Sequence, residues 1–458
     1  MPHHWIPNSS PKVKEEIMNF LGIENIEELF ADIPLPMRFK GDLKIGFGRL
    51  SEYEVRRKFM SIIKKNKVFG NPPPFIGGGV CQHYVPSVVK AIASRAEFYT
   101  AYTPYQPEIA QGLLQAFFEY QSLMAELYGV DIVNASLYNG STAAAEAVRM
   151  ALRVKRGRRK VVVASSTHPE TKEVIRTWVS GLDVKVVEAP HSRLDGSLDE
   201  ERLKELLDQD TAALYVENPN FFGALEKRIK SAIDLAHDVG SLAIVGSTPI
   251  LLGVIQPPGK LGADVVVGDA QPLGLGMNYG GPSAGIFGIM DRKELIRQLP
   301  GRLIGATTTV DGSQVGYMMI LQTREQHIRR ERATSNITTN SGLEAIAAAV
   351  YVSLLGRSGL RNLGEAILGR TEYLIRKLNE AGVKAPYFPE AFVVREVPVK
   401  LGGSVEEKIS KLLTKDIHVG PPLGRFFPEL KDGCLTCVTE LHTKADIDLL
   451  VEGLTEVV

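Results

Sequence analysis

The chemistry this chain could perform is concentrated in a few short stretches. "LYNGSTAAAEAVRM" sets Asn139, Gly140, Ser141 and Thr142 between an apolar run and a helical pattern. Backbone N–H groups at a helix start, with the helix dipole behind them, cradle an anion such as a phosphate. The plainer role for the same residues is an N-cap. "SSTHPET" places His168 after the next apolar run, either to stack on a flat aromatic ligand or simply to occupy a surface loop. Asn218 and Asn220 of "VENPNFFG" read as turn residues first and ligand contacts second. "TAYTPYQPEIAQG" holds Thr103, Tyr105, Gln106 and Glu108 among prolines that stiffen the loop. Such held polar tips complete a neighbouring active site, bind a peptide arm, or form a rigid subunit contact. "QTREQHIRRERATSN" carries Arg324, Arg329, Arg330 and Arg332 with Glu325 and Glu331, at a spacing that pairs charges along a helix. Alternatively, Arg324 and His327 face a catalytic chamber or an acidic protein surface, where complementary charge raises the on-rate more than the affinity.

One loop has the form of a reactive site without a reactive group. "GDAQPLGLGMNYGGPSAG" follows the apolar run "ADVVV", yet no lysine, histidine or cysteine lies between Lys260 and Arg292. The acid at Asp269 cannot form an imine, and Gln271 offers no nucleophilic amine.

The elements that must position these residues are legible in the hydrophobic pattern. "IVNASLY", "KVVVASS", "VKVVEA", "TAALYVE", "SLAIVG", "ADVVVGD" and "GIFGIM" read as short strands, mostly separated by amphipathic helices such as "STAAAEAVRMALRV". Continuous apolar strands alternating with helices predict an α/β domain with a seven-stranded, mainly parallel sheet covered on both faces. Ligands of such sheets bind beyond the carboxyl ends of the strands. The expected organisation is an N-terminal helical arm over 1–68, a large α/β domain over 69–335, and a smaller α+β domain over 336–458. In that last part "AFVVREV" and "CLTCVTE" read as strands.

The composition excludes several classes. Lys and Arg number 53 and Asp and Glu number 53, so no bulk attraction to nucleic acid or anionic membrane is implied. The basic run "LRVKRGRRKVVV" reads as a solvated helix end. No signal peptide is visible at the N-terminus, and "LEAIAAAVYVSLLG" reads as a buried helix rather than a membrane span. Three cysteines make a secreted disulfide framework unexpected. Cys434-x-x-Cys437 fits either a redox pair or, better, strand packing. A cytoplasmic location is expected.

A helix N-terminus for a phosphate, a histidine loop and a small C-terminal domain together resemble fold-type-I pyridoxal phosphate enzymes. Such enzymes need a lysine for the internal Schiff base and an acid for the pyridinium nitrogen. The acid belongs at the end of "SLAIVG", where Gly246-Ser247-Thr248 stand, and the lysine belongs after "ADVVV". Both are missing. Residues 98–121, 299–340 and 268–285, with "WIPNSS…ELFADIP" near the start, are similar to signature segments of subunit 1 of the two-subunit glycine decarboxylase, the P-protein of the glycine cleavage system. In that family a paralogous second subunit carries a histidine-lysine pair, at positions falling near Ala270 and Gln271 here. Cys81-Gln82 and Thr248 depart from the commoner family residues, which weakens any grip of this chain on the cofactor.

The resemblance implies a heterotetramer with two chains of each kind and pyridoxal phosphate on the partner subunit, none being bound covalently here. It further implies glycine decarboxylation with transfer of the aminomethyl group to the lipoyl arm of H-protein. Thr103, Tyr105, Gln106, Glu108, Arg324 and His327 become candidates to complete the partner's site, and Asn139, Gly140, Ser141, Thr142 and His168 a vestigial cofactor cradle. The alternatives are a stand-alone enzyme using Lys172 or Lys260, and a scaffold that docks H-protein without entering the chemistry.

Overall fold

The computed structural model describes all residues except 1, 2, 40, 42, 43, 47, 49, 67–71 and 102. The chain divides into two units, Met1–Val68 and Phe69–Val458. The residues at the expected arm boundary, 68 and 69, lie outside the described residues.

The first unit is helical. Pro11–Leu21 begins after Ser10, and Glu52–Ile63 begins with a capping box in which Ser51 and Glu54 satisfy each other's backbone N–H groups. None of the residues in these helices is buried, and Trp5, Phe20, Leu35, Met37, Phe39 and Phe59 stand exposed.

Among the described residues, thirteen strands order the second unit. They are β1 (Phe75–Ile76), β2 (Ile132–Val133), β3 (Lys160–Ala164), β4 (Lys185–Ala189), β5 (Thr211–Glu217), β6 (Leu242–Gly246) and β7 (Val265–Asp269). After these come β8 (Gly285–Ile289), β9 (Leu303–Thr308), β10 (Val315–Ile320), β11 (Glu396–Lys400), β12 (Val419–Gly420) and β13 (Gly433–Cys437). The large sheet has seven strands in the order β2-β8-β7-β6-β5-β3-β4. Strands β3 to β7 are mutually parallel, and β8 runs antiparallel to both β7 and β2. This is the fold-type-I architecture expected from the sequence.

Both faces of the sheet are covered, which is why its strands lack polar alternation. Along β3, Val161 and Val163 enter one apolar cluster while Val162 and Ala164 enter another; along β5, Ala213 and Tyr215 part from Leu214 and Val216 in the same way. Helix Gly140–Val154 lies against the first face through Ala143, Ala144, Ala147, Val148 and Ala151, all fully buried. Its small side chains allow the close approach that brings its N-terminus to the strand ends. The apolar window read as a buried helix begins helix Gly342–Glu380, which buries Ala345, Ile346, Ala348 and Tyr351 and kinks at Gly356, where φ is 58°.

A second sheet, β11-β13-β1-β12, forms a separate core with Phe222, Phe388 and Leu435. Strand β1 precedes the large sheet in sequence but pairs with β12 and β13, so a segment expected in the α/β domain over 69–335 adds a strand to the C-terminal sheet. Cys434 packs in β13 as expected, and burial pushes its thiol up to about 12. Cys437 departs from the expectation, because it is joined in a disulfide to Cys81, 356 residues earlier in the chain.

Glu226 ties three loops beneath the strand ends. It accepts from Leu198 N at 2.7 Å, Asn220 Nδ2 at 2.9 Å and Ser166 Oγ at 3.4 Å. Burial pushes its carboxyl up to about 7, against these bonds. A folded value raised above the unfolded one gives stability that is present at low pH and lost as pH rises. Between about pH 4.5 and about pH 7 this group alone removes about 3 kcal/mol. Glu226→Gln is therefore expected to flatten denaturant-unfolding free energy over that window relative to wild type. Equal slopes for the two proteins would contradict the assignment.

Candidate functional site

A cavity of about 310 Å³ opens beyond the carboxyl ends of β5, β6 and β7. Asn139, His168, Glu217, Thr248, Asp269 and Gln271 are among its walls, so the expected cradle residues and the lysine-free loop do meet. The arrangement nevertheless differs from a cofactor seat in three places.

The first is the helix start. Asn139 caps it in the ordinary way, its Oδ1 accepting from Thr142 N at 2.8 Å. The Gly140 N–H donates at 2.8 Å to Asp269 Oδ2, while Asp269 Oδ1 accepts from Gln271 N at 2.8 Å and from Ser283 Oγ. The chain's own carboxylate thus fills the place at which a phosphate would receive the amide. Glycine at 140 favours this approach, since a Cβ there would lie 3.0 Å from Asp269 Cβ and push the two apart by a few tenths of an ångström. Ser141 bonds sideways to Thr171 Oγ1 at 3.0 Å.

The second is His168. Its Nε2 bonds to the Gly78 carbonyl at 2.8 Å and its Nδ1 accepts from Glu170 N at 3.2 Å, which fixes the Nε2–H tautomer. The ring meets Phe221 edge-on, with centroids 5.1 Å apart. The imidazole expected to stack on a ligand serves instead to cap helix Pro169–Val179 and hold the Gly78 loop.

The third is the reactive pair itself. Gln271 Nε2 donates to Gly276 O at 3.0 Å and Cys81 O at 3.3 Å, closing the loop on itself. Ser247 and Thr248 follow β6 where an acid would hold a pyridinium nitrogen. Among the described residues no lysine lines the cavity. Lys172 is bound to Glu188 Oε2 at 2.9 Å and Ser165 O at 3.1 Å, and Lys260 lies in a short 3-10 turn beside Gly129. The residues present do not fit pyridoxal phosphate, because the lysine and the acid are missing and the Gly140 amide is taken by Asp269. The stand-alone reading loses both of its lysines with them.

The proline loop is built differently. Tyr105 is half exposed, with its ring turned edge-on to His327 at 6.0 Å between centroids. Its hydroxyl accepts from Arg302 Nη2 at 2.9 Å, and the same nitrogen donates to the Thr338 carbonyl at 2.6 Å. Arg302 is 4% exposed and its guanidinium carbon lies 4.9 Å from the Tyr105 ring centroid. A cation in that position joins a hydrogen bond to a cation–π contact, which orients the phenol strongly. Gln111, which begins the next helix, bonds through Nε2 to Pro107 O at 2.7 Å and to Tyr317 O at 2.8 Å, tying the loop to β10. Thr103 is half-buried, while Gln106 and Glu108 point outward.

Two expectations are corrected. The stretch 322–332 is not one helix with paired charges; it breaks into three short turns, with Arg330 at a φ of 53°. Arg324 does not face an open chamber: it is buried, and its Nε and Nη2 donate to Leu321 O at 3.0 Å and Gly301 O at 3.1 Å. Burial pulls its guanidinium down to about 10. His327 is exposed, 3.6 Å from Glu325. Sequence reasoning missed Arg302 because "LPGRLIG" marks it by no periodicity or motif; only its burial beside Tyr105 does.

The family model for the glycine cleavage system P-protein matches residues 3–454. The "Probable glycine dehydrogenase (decarboxylating) subunit 1" of Staphylothermus marinus is 48% identical, covering 100% of this chain and 98% of its own length. That of Sulfolobus acidocaldarius is 46% identical over 99% of each chain. A crystal structure of glycine decarboxylase, the P-protein of the glycine cleavage system, in inhibitor-bound form, superposes with a TM-score of 0.86 at 38% identity, covering 100% of this chain and 99% of that one. A cysteine desulfurase from Thermococcus onnurineus shares the fold alone, with a TM-score of 0.60 at 16% identity over 82% of this chain and 92% of that one. The chain belongs to the glycine cleavage system P-protein family, as a subunit of a decarboxylating glycine dehydrogenase.

Proposed function

We propose that this chain is the lysine-free half of a two-chain glycine decarboxylase and completes the active site of a paralogous, lysine-bearing subunit. Pyridoxal phosphate, the electron sink for decarboxylation, sits on that partner. The observation that carries this reading is the filled seat: Asp269 on the Gly140 amide, with Gln271 and Thr248 where lysine and acid would stand. This chain supplies position and surroundings. Tyr105, held by Arg302, presents a fixed phenol, with Thr103, Gln106, Glu108 and His327 around it, and the preorganised edge orients groups across the interface and excludes water. The exposed apolar side chains of the N-terminal unit fit an obligate assembly, two chains of each kind, better than a free subunit. The aminomethyl group passes to the lipoyl arm of H-protein, in the cytoplasm.

Borohydride reduction of the assembled enzyme in pyridoxal phosphate, followed by mapping of the labelled peptide, tests the assignment. The label is expected on a lysine of the partner. A stoichiometric label on any lysine of this chain would overturn it.

A further inference from the structure

Three reactive side chains have no task in the reading above. Cys81 lies on the strap that follows β1, Glu396 begins β11 and Cys437 ends β13. The two sulfurs and a carboxylate oxygen all lie within 4.8 Å of one another, and each residue is at most 3% exposed. Gly77 makes room for the carboxylate, since a Cβ there would lie 2.2 Å from Glu396 Oε2. Gly78 N and Gly79 N donate to the carboxylate at 3.1 and 2.9 Å, and Cys81 Sγ stands 3.5 Å from its Oε1. The strap is tied at both ends. Gly77 N donates to Gly420 O at 2.8 Å, and Cys81 O accepts from Gln271 Nε2 at 3.3 Å. It therefore joins the C-terminal sheet to the lysine-free loop, and the three side chains fasten its middle.

Two cysteines beside a buried carboxylate can be satisfied in two ways. One is the disulfide between Cys81 and Cys437. The other opens when a dithiol reductant passes two electrons and two protons to the sulfurs and itself becomes a disulfide. Two thiols then face a carboxylate, which is the donor set of a borderline metal ion. Charge selects a divalent one. Two thiolates and a carboxylate carry three negative charges, which a divalent ion offsets together with the Arg395 guanidinium, 3.7 Å from Glu396 Oε1. The oxygen ligand favours zinc over Cu(I), which prefers sulfur throughout. The cysteine Cα atoms stand 6.9 Å apart, a spacing that two zinc–sulfur bonds of about 2.3 Å can bridge. We propose that the reduced chain binds one zinc ion at Cys81, Cys437 and Glu396. Binding releases the two thiol protons, and the ion takes over from the disulfide in holding the strap to β11 and β13. The site does not depend on which subunit carries the cofactor.

Titration of the full-length chain with divalent cobalt, after reduction by dithiothreitol and its removal under nitrogen, tests the proposal. One cobalt per chain is expected, with a thiolate-to-cobalt charge-transfer band that zinc abolishes stoichiometrically. Zinc should also raise the thermal unfolding midpoint of the reduced chain. The oxidised chain should show no band, which gives a folded control that needs no substitution. Cys81→Ser should weaken cobalt about a hundredfold or more and Glu396→Gln about tenfold, while Cys434→Ala should leave the band unchanged. No band on the reduced, folded chain overturns the proposal, as does a band that persists after oxidation or in Cys81→Ser. A disulfide that resists the dithiol in the folded chain, or unfolding on reduction that zinc does not reverse, overturns it equally.

Discussion

Arg302→Met is expected to lower kcat of the assembled decarboxylase about a hundredfold with little change in KM for glycine. Misplacing a positioned group by about 1 Å costs on that order. The substitution removes the hydrogen bond to the Tyr105 hydroxyl, the charge over its ring and the donor to Thr338 O together. Methionine keeps most of the buried volume, so the loss falls on orientation rather than on the core. Lysine at 302 should restore only part of the activity, since a point charge cannot serve the hydroxyl and the carbonyl as a planar fork does. Tyr105→Phe should cost a similar factor, and the double variant no more than either single one, because both changes break one device. Steady-state kinetics on complexes of verified stoichiometry decide the matter. Fully additive losses would mean that Arg302 acts elsewhere, and unchanged kcat in Tyr105→Phe would remove the loop from the chemistry.

Glu396→Ala is expected to destabilise the chain by about 3–5 kcal/mol, the usual cost of removing one partner from a buried charge group. The carboxylate satisfies the Gly78 and Gly79 amides, contacts Cys81 Sγ at 3.5 Å, and is the carboxylate nearest Arg395. Alanine would leave two part-buried backbone donors and a buried cation without it. Glu396→Gln keeps one acceptor oxygen and should cost clearly less. Chemical denaturation of both variants checks the ordering. A loss under about 1 kcal/mol for the alanine would show that water reaches these groups freely.

Much of the frame was legible because the sheet is covered on both sides. Its strands are uninterrupted apolar runs, and helix punctuation separates them plainly. The lysine-free loop was legible too, since a missing residue type shows without coordinates. What stayed hidden depends on distance in sequence. The contact between Gly140 and Asp269 joins residues 129 positions apart, and nothing local marks Asp269 as the group that fills the helix start. Arg302, Arg324 and Arg395 look alike as letters, yet each is buried and directed to different partners. The 322–332 stretch has the charge spacing of a helix, but its backbone turns at Arg330 and the pattern loses its meaning. The Cys81–Cys437 pairing could not be read from three cysteines, because spacing does not specify connectivity.

Glycine–bicarbonate exchange, measured with pyridoxal phosphate present on this chain alone and on its mixture with the lysine-bearing subunit, tests the central claim most directly. The mixture is expected to exchange label, and this chain alone is expected to give none. Exchange by this chain without the partner would contradict the account.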